Sequence, residues 1–320
     1  MTPRDGHAHA GGIHNAKKFL TLPRMLHPTI EQIQQGDIKT LARAISLIEN
    51  ESNEYGELLK NLPYSEKKII GITGPPGAGK STLTDALIGE FVKNNETVCV
   101  LCVDPSSPFH HGALLGDRIR MQQWYNHPAV FIRSFSARGS MGGLHPKILE
   151  ITELVKTAPF NRILIETIGV GQSEVEIAAL ADTTVLVLVP EAGDEIQTMK
   201  SGLMEIADIF VVNKADRPGA AELMKNIMQT VGQAHDVEET PVIQTIATEK
   251  KGIDKLLEKI VLHQQTLRSN EKKIAALAEK AYVLIQQKRM RDINRQQLSH
   301  QLRDAFDSKN FNLYMFVEKF

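Results

Sequence analysis

Cysteine is almost missing from this 320-residue chain, and the two present, Cys99 and Cys102, exclude a disulfide-built scaffold. Their C-x-x-C spacing invites a redox or zinc reading, but the context Thr97-Val98-Cys99-Val100-Leu101-Cys102-Val103 reads as a β-branched strand. Residues three apart on a strand point to opposite faces, so the two thiols are expected to sit apart, as core residues. Excess charge is missing too. The 37 Lys and Arg balance 38 Asp and Glu, and a formal net charge of −1 points away from nucleic acid and membrane surfaces as partners. No apolar run approaches the roughly 20 residues of a membrane span. The opening Met1-Thr2-Pro3-Arg4-Asp5-Gly6 lacks the apolar centre of a signal peptide, and a cytoplasmic protein is expected. Glycine and proline both vanish after Leu262. Aromatic residues are scarce at 5%, yet Phe306, Phe311, Tyr314, Phe316 and Phe320 crowd the last fifteen positions.

What is present divides the chain in three. Residues 1–66 combine a tail bearing His7, His9 and His14, read as solvated, with a helical pattern from Thr29 to Leu62. Residues 67–262 alternate apolar strands with helices. The strands expected are Ile69–Thr73, Val98–Asp104, Val130–Ser134, Arg162–Glu166, Thr184–Pro190, Ile209–Asn213 and Val242–Ile246. Helices are expected over Ser81–Lys93, His145–Lys156, Glu174–Leu180 and Ala220–Gln233. Runs such as Val185-Leu186-Val187-Leu188-Val189 suit strands buried on both faces, so the pattern predicts an α/β domain with a mostly parallel, doubly wound sheet. Residues 263–320 read as helical, with a stripe of Ile274, Leu277, Ala278, Ala281, Leu284 and Ile285. That stripe and the terminal aromatics need a surface to cover them, either this chain's own α/β domain or a second subunit, and a dimer contact is the favoured expectation.

The chemistry begins at Gly74-Pro75-Pro76-Gly77-Ala78-Gly79-Lys80-Ser81-Thr82, with G-x-x-x-x-G-K-[ST] spacing between an apolar strand and a helix start. Glycines at these positions let successive backbone N–H groups curl round a phosphate chain, and the helix N-terminus adds its dipole. Lys80 is placed to reach the β- and γ-phosphates and Ser81 to ligate Mg²⁺. A nucleoside triphosphate is the expected ligand.

Asn213-Lys214-Ala215-Asp216 follows the strand Ile209-Phe210-Val211-Val212. A carboxylate at Asp216 can accept from both the ring N–H and the amine of guanine, while adenine presents the wrong edge; leaving such groups unpaired rejects ATP. Asn213 is read as bracing the loop and Lys214 as lying over the base. Thr245-Ile246-Ala247-Thr248 stands where a second base-side loop belongs, so Thr245 and Ala247 join the candidate nucleotide residues. For Mg²⁺, Asp104 ends its strand beside the phosphate loop and Asp117 sits in Leu114-Leu115-Gly116-Asp117-Arg118. In Leu164-Ile165-Glu166-Thr167-Ile168-Gly169-Val170-Gly171-Gln172, Gly169 is placed to offer its N–H to a γ-phosphate and release it after hydrolysis. Val170 follows that glycine and Gln172 comes late, so intrinsic turnover should be slow and partner-dependent. Glu166 and Asp117 are both candidates for positioning the attacking water.

Taken with their flanks, these motifs resemble the MeaB/ArgK/MMAA family of P-loop GTPases. The matching stretches are GPPGAGKST, VDPSSPF, LLGDRIRM, ETIGVGQSE, PEAGDEIQTMKSGLMEIADIFVVNKAD and the helical tail. The resemblance implies a chaperone that hydrolyses GTP, with Mg²⁺, to gate cofactor loading and protect or reactivate an adenosylcobalamin-dependent acyl-CoA mutase of the methylmalonyl-CoA type. It also implies a homodimer formed through the C-terminal helices. Lys80, Ser81, Asp104, Asp117, Glu166 and Asp216 fall on what look like the family's nucleotide and magnesium positions. Asp194 and Lys200, in the segment Glu191–Lys200, look like the charged contacts of a loop coupling nucleotide state to the mutase. His110-His111 departs from the small residues usual after Pro-Phe. Of three other readings, a kinase linked to amino-acid transport is disfavoured by the guanine-selecting Asp216 and the lack of a recognisable phosphoacceptor site, which leaves two. A metal-insertion GTPase wants a Cys/His cluster, for which His110 and His111 are available but the strand-bound cysteines are not. A regulatory GTPase with another client is the second.

Overall fold

In the computed structural model, the described residues are 29–52, 55–104, 121–136, 144–167, 173–192, 206–234, 240–266, 270–306 and 311–320. Seven strands form one sheet: β1 (Ile69–Thr73), β2 (Val98–Asp104), β3 (Val130–Ser136), β4 (Arg162–Glu166), β5 (Thr183–Leu188), β6 (Ile209–Val212) and β7 (Val242–Gln244). Their order is β3-β2-β4-β1-β5-β6-β7, and every pairing is parallel. The α-helices among the described residues are α1 (Ile30–Gln34), α2 (Ile38–Glu49), α3 (Tyr55–Lys60), α4 (Lys80–Lys93), α5 (Ile148–Thr157), α6 (Ser173–Leu180), α7 (Ala220–Ala234), α8 (Ile253–Thr266), α9 (Asn270–Arg289), α10 (Arg295–Phe306) and α11 (Leu313–Val317).

Alternation along each strand sorts side chains onto two faces, and helices cover both, as an all-parallel sheet requires. Ile70, Ile72, Val100, Cys102, Leu164 and Val187 share a core with Leu83, Leu87 and Phe91 of α4 and with Leu256 and Ile260 of α8. On the other face Ile69, Cys99, Leu101 and Ile165 pack with Leu41, Ile45 and Ile48 of α2 and Ile151 and Leu154 of α5. Beyond β5 that face continues as Leu186, Leu188, Phe210 and Val212 under Leu223 and Ile227 of α7. Cys99 and Cys102 are therefore buried, not joined by a disulfide and on opposite faces, as the strand periodicity predicts. Burial pushes the Cys99 thiol far up from its ordinary value.

The N-terminal helices dock on this same sheet face. Thr29 caps α1 in a reciprocal box with Gln32, and Asp37 caps α2 by accepting from the Lys39 and Thr40 N–H groups. Their buried residues, Ile33 among them, belong to the core beneath β1, β2 and β4.

Strand ends differ from the apolar runs where a side chain or ring takes over the backbone. β3 runs on to Ser136 because Phe135 is buried and registers with Val103. β5 stops at Leu188, and Pro190, with no N–H for a ladder, opens a 3₁₀ turn over Pro190–Ala192. β6 ends at Val212, with Lys214 in the left-handed region at φ 54°. β7 ends at Gln244, and Ile246 instead bridges antiparallel to Lys251. α5 starts at Ile148 because His145 Nδ1 accepts the Lys147 N–H at 3.1 Å, a local bond that competes with the helix.

In the C-terminal region α9 meets the body through Gln287 Nε2, 3.5 Å from the Pro146 carbonyl, and Lys280 Nζ, 3.9 Å from Glu153. Burial holds the Lys280 ammonium below its ordinary pKa, an effect that Glu153 opposes. Ile274, Tyr282 and Ile285 are exposed along α9. Of the terminal aromatics, Phe316 is buried among Phe311 and Phe320, whereas Phe306 and Tyr314 are exposed in this chain. No helix among the described residues is long and apolar enough to cross a membrane.

Candidate nucleotide-binding site

The chain winds from β1 to β2 and β3 on one side and to β5, β6 and β7 on the other, with β4 and β5 flanking β1. The crevice at the carboxyl end of β1 is thus a topological switch point, where open α/β sheets bind ligands. Gly74 to Gly79 occupy it. Gly74, Gly77 and Gly79 all have positive φ, at 141°, 77° and 87°. A Cβ on Gly74 would fall on the Val187 carbonyl of β5, and one on Gly79 on the Asn213 amide, so loop, sheet and base-side segment approach too closely for a side chain. Gly79 is also the N-cap of α4 and supplies no side-chain cap, which leaves the first-turn N–H groups to a ligand. Pro76 and Gly77 are exposed at the loop tip, while Ala78 is buried beneath it.

Lys80 is buried and donates to the carbonyls of Gly74 at 2.8 Å and Pro75 at 3.0 Å, which keeps its ammonium inside the loop. Ser81 and Thr82 lie in the first turn of α4, and the Ser81 hydroxyl donates to Glu166 Oε1 at 2.6 Å. Glu166, the last residue of β4, is almost wholly buried, and its Oε2 lies 2.8 Å from the Thr84 hydroxyl. Thr84 is the residue that motif reading passes over. The signal available for it was a hydroxyl four residues after Lys80, among the apolar Leu83, Ala86, Leu87 and Phe91 on the buried face of the helix.

The Asn213–Asp216 and Thr245–Ala247 loops and the phosphate loop meet at the Asn213 side chain. Asn213 Nδ2 donates to the Ala78 carbonyl at 2.9 Å, while its Oδ1 accepts from Thr245 Oγ1 at 3.1 Å and from the Ala247 N–H at 3.2 Å. Lys214 donates to the Gly77 carbonyl at 2.8 Å, and the Ala215 N–H to the Thr245 carbonyl at 3.0 Å. Asp216 stands exposed at the end of this segment. The phosphate loop, the Asn213–Asp216 loop and the Thr245–Ala247 loop form one hydrogen-bonded rim.

Asp104 closes β2, registered with Ser136 of β3; its side chain lies outside the described residues. Outside them too are Asp117, Gly169, Gln172, Asp194, Lys200, His110 and His111, together with the histidines of the first tail. The oxygen donors that the structure does bring together, the Ser81 hydroxyl and the Glu166 carboxylate, are hard ligands that fit Mg²⁺ rather than a thiophilic metal.

Comparison with known proteins agrees with this geometry. The family described as "Methylmalonyl Co-A mutase-associated GTPase MeaB" matches residues 41–303. A protein of Pyrococcus horikoshii assigned as a GTPase is 45% identical over 270 residues, covering 81% of this chain and 82% of its own. GTPase ArgK of Escherichia coli is 34% identical over 248 residues, 74% of this chain and 75% of that one. The fused isobutyryl-CoA mutase of Geobacillus kaustophilus is 35% identical over 237 residues, which cover 69% of this chain but 22% of that longer protein. The crystal structure of an LAO/AO transport system kinase superposes with a TM-score of 0.62 at 24% identity, covering 91% of this chain and 94% of the other, a likeness of fold. A family match over most of the chain, with relatives at 45% and 34% identity, makes this protein a GTP hydrolase of the MeaB family.

Proposed function

We propose that this GTPase is a chaperone of an adenosylcobalamin-dependent acyl-CoA mutase, using the nucleotide cycle to gate cofactor loading and to protect or reactivate the enzyme. The observation that carries this reading is the relative in which a homologous segment is part of a fused isobutyryl-CoA mutase. Fusion fixes two partners at high effective concentration, and it is retained where their contact is used.

In this reading the N–H groups of residues 74–82 cradle the phosphates, and Lys80 trades its two carbonyl partners for phosphate oxygens. Ser81, Asp104, Asp117 and Glu166 hold Mg²⁺, directly or through water; the ion, when bound, offsets charge on the β- and γ-oxygens. Glu166 accepts a hydrogen bond from the Ser81 hydroxyl, which would leave the serine oxygen's lone pairs for the cation. Gly169 senses the γ-phosphate, and Glu166 or Asp117 orients the water. Asp216 selects guanine, with Asn213, Lys214, Thr245 and Ala247 shaping the base pocket. The loop that begins at Glu191 and carries Asp194 and Lys200 reports nucleotide state to the mutase. Residues 1–66 and 263–320 flank a G domain of residues 67–262, and two chains pair in the cytoplasm through the apolar stripe of α9 and the terminal aromatics.

The test is the GTPase rate alone and with the mutase of the same organism. Stimulation of about tenfold, roughly 1.4 kcal/mol in the barrier, with ATP inert, is expected. An unchanged rate and no complex with any such mutase would refute the chaperone role while leaving the GTPase intact.

A further inference from the structure

Thr84 sits in the second turn of α4 and has no exposed surface, among the apolar residues that pack this helix on β1 and β2. A valine would fill the same volume without a hydroxyl to satisfy, and burying a hydroxyl is unfavourable unless it is hydrogen-bonded. The Thr84 oxygen lies 3.0 Å from the Lys80 carbonyl and 2.8 Å from Glu166 Oε2. A hydroxyl has one proton to give. The Lys80 carbonyl already faces the Thr84 N–H in the helix ladder, and a carboxylate is the stronger acceptor. The proton therefore goes to Glu166. The other carboxylate oxygen, Oε1, accepts from Ser81 at 2.6 Å. One buried carboxylate is thus gripped by two hydroxyls one helical turn apart on the same helix, and both oxygens are fixed relative to the phosphate loop.

We propose that Thr84 is a positioning residue for the divalent cation of this GTPase. By pinning Oε2 it fixes the Glu166 rotamer, so that Oε1 accepts the Ser81 hydrogen bond and the serine oxygen faces the metal with its lone pairs. Thr84 touches neither nucleotide nor cation and acts wholly through Glu166. The inference rests on the reading of Ser81 and Glu166 as the cation's anchor.

The test separates cation binding from nucleotide binding and from folding. Release of a fluorescent GDP analogue is followed in EDTA and then across a Mg²⁺ titration, in wild type, Thr84→Val, Thr84→Ser and Glu166→Gln, with thermal unfolding of each. Thr84→Val is expected to hold the analogue as wild type does in EDTA. It should need about tenfold more Mg²⁺, or greater, to reach half of its slow-release state, since a bond to a charged group is lost. Thr84→Ser restores the wild-type midpoint. If Thr84→Val does not fold, comparison of Thr84→Ser with Thr84→Ala carries the same test. An unchanged midpoint in the variants lacking the hydroxyl, with Glu166→Gln shifted, overturns the role of Thr84 alone. An unshifted Glu166→Gln overturns the cation-site reading beneath it.

Discussion

Replacing Asn213 by alanine should unfasten the nucleotide rim without touching the sheet. The side chain is buried and makes three bonds: to the Ala78 carbonyl at 2.9 Å, from Thr245 Oγ1 at 3.1 Å and from the Ala247 N–H at 3.2 Å. At about 1 kcal/mol net for each neutral bond, the loss comes to about 3 kcal/mol. In a chain of this size each kcal/mol moves the melting point by about 2–4 °C, so a drop of roughly 6–12 °C is expected. Urea unfolding without nucleotide measures the free energy, and titration of a fluorescent GDP measures the accompanying loss of affinity. Thr245→Val removes the 3.1 Å bond from its other end, so a double-mutant cycle should return a coupling of about 1 kcal/mol. An Asn213→Ala loss below about 1 kcal/mol, or additivity with Thr245→Val, would refute the stapling argument.

Gly74→Ala puts a methyl on the Val187 carbonyl at a left-handed φ of 141° and should abolish guanine-nucleotide binding, checked by equilibrium dialysis; retained affinity would contradict the close approach of loop and β5. Cys99 and Cys102 are both buried, and Cys99 is held as the thiol, so a disulfide reagent should label neither in the native protein and both in denaturant. Burial raises Glu176 above its ordinary 4.5, and the Leu144 N–H it accepts only partly opposes this. The folded state therefore keeps that proton to higher pH than the unfolded chain, and the stability it contributes below pH 4.5 is lost as pH rises through the folded value. Glu176→Gln keeps an acceptor for Leu144, so its urea midpoint should match wild type near pH 4 and exceed it at pH 7.

The sheet was legible because the central stretches of β1, β2 and β4 are apolar on both faces, as strands covered on both sides require. Strand ends were less legible, since they answer to distant partners: Phe135 extends β3 by registering with Val103, and Ile246 leaves β7 to meet Lys251. The same division runs through the site. Gly74, Lys80, Ser81 and Asp216 stand out by spacing alone, because G-x-x-x-x-G-K-[ST] and N-K-x-D are local patterns. The Thr84–Glu166 bond spans 82 residues and has no local period to betray it. The N-terminal helices read correctly as helices, yet their place in the sheet's own core depends on which face α5 leaves open.

The rim that Asn213 closes also sets an order of events at birth. The Ala78 carbonyl it grips lies 135 residues earlier in the chain, and the Ala247 N–H lies 34 residues later. A nascent chain that has released β1 and the phosphate loop still lacks the Asn213–Asp216 and Thr245–Ala247 segments that complete the rim. Parallel strands joined by long crossovers pair late, and ordering them is slow. The closed rim therefore arrives with residues 213–247, and a chain stalled before them has the phosphate loop without the side chain that fastens it.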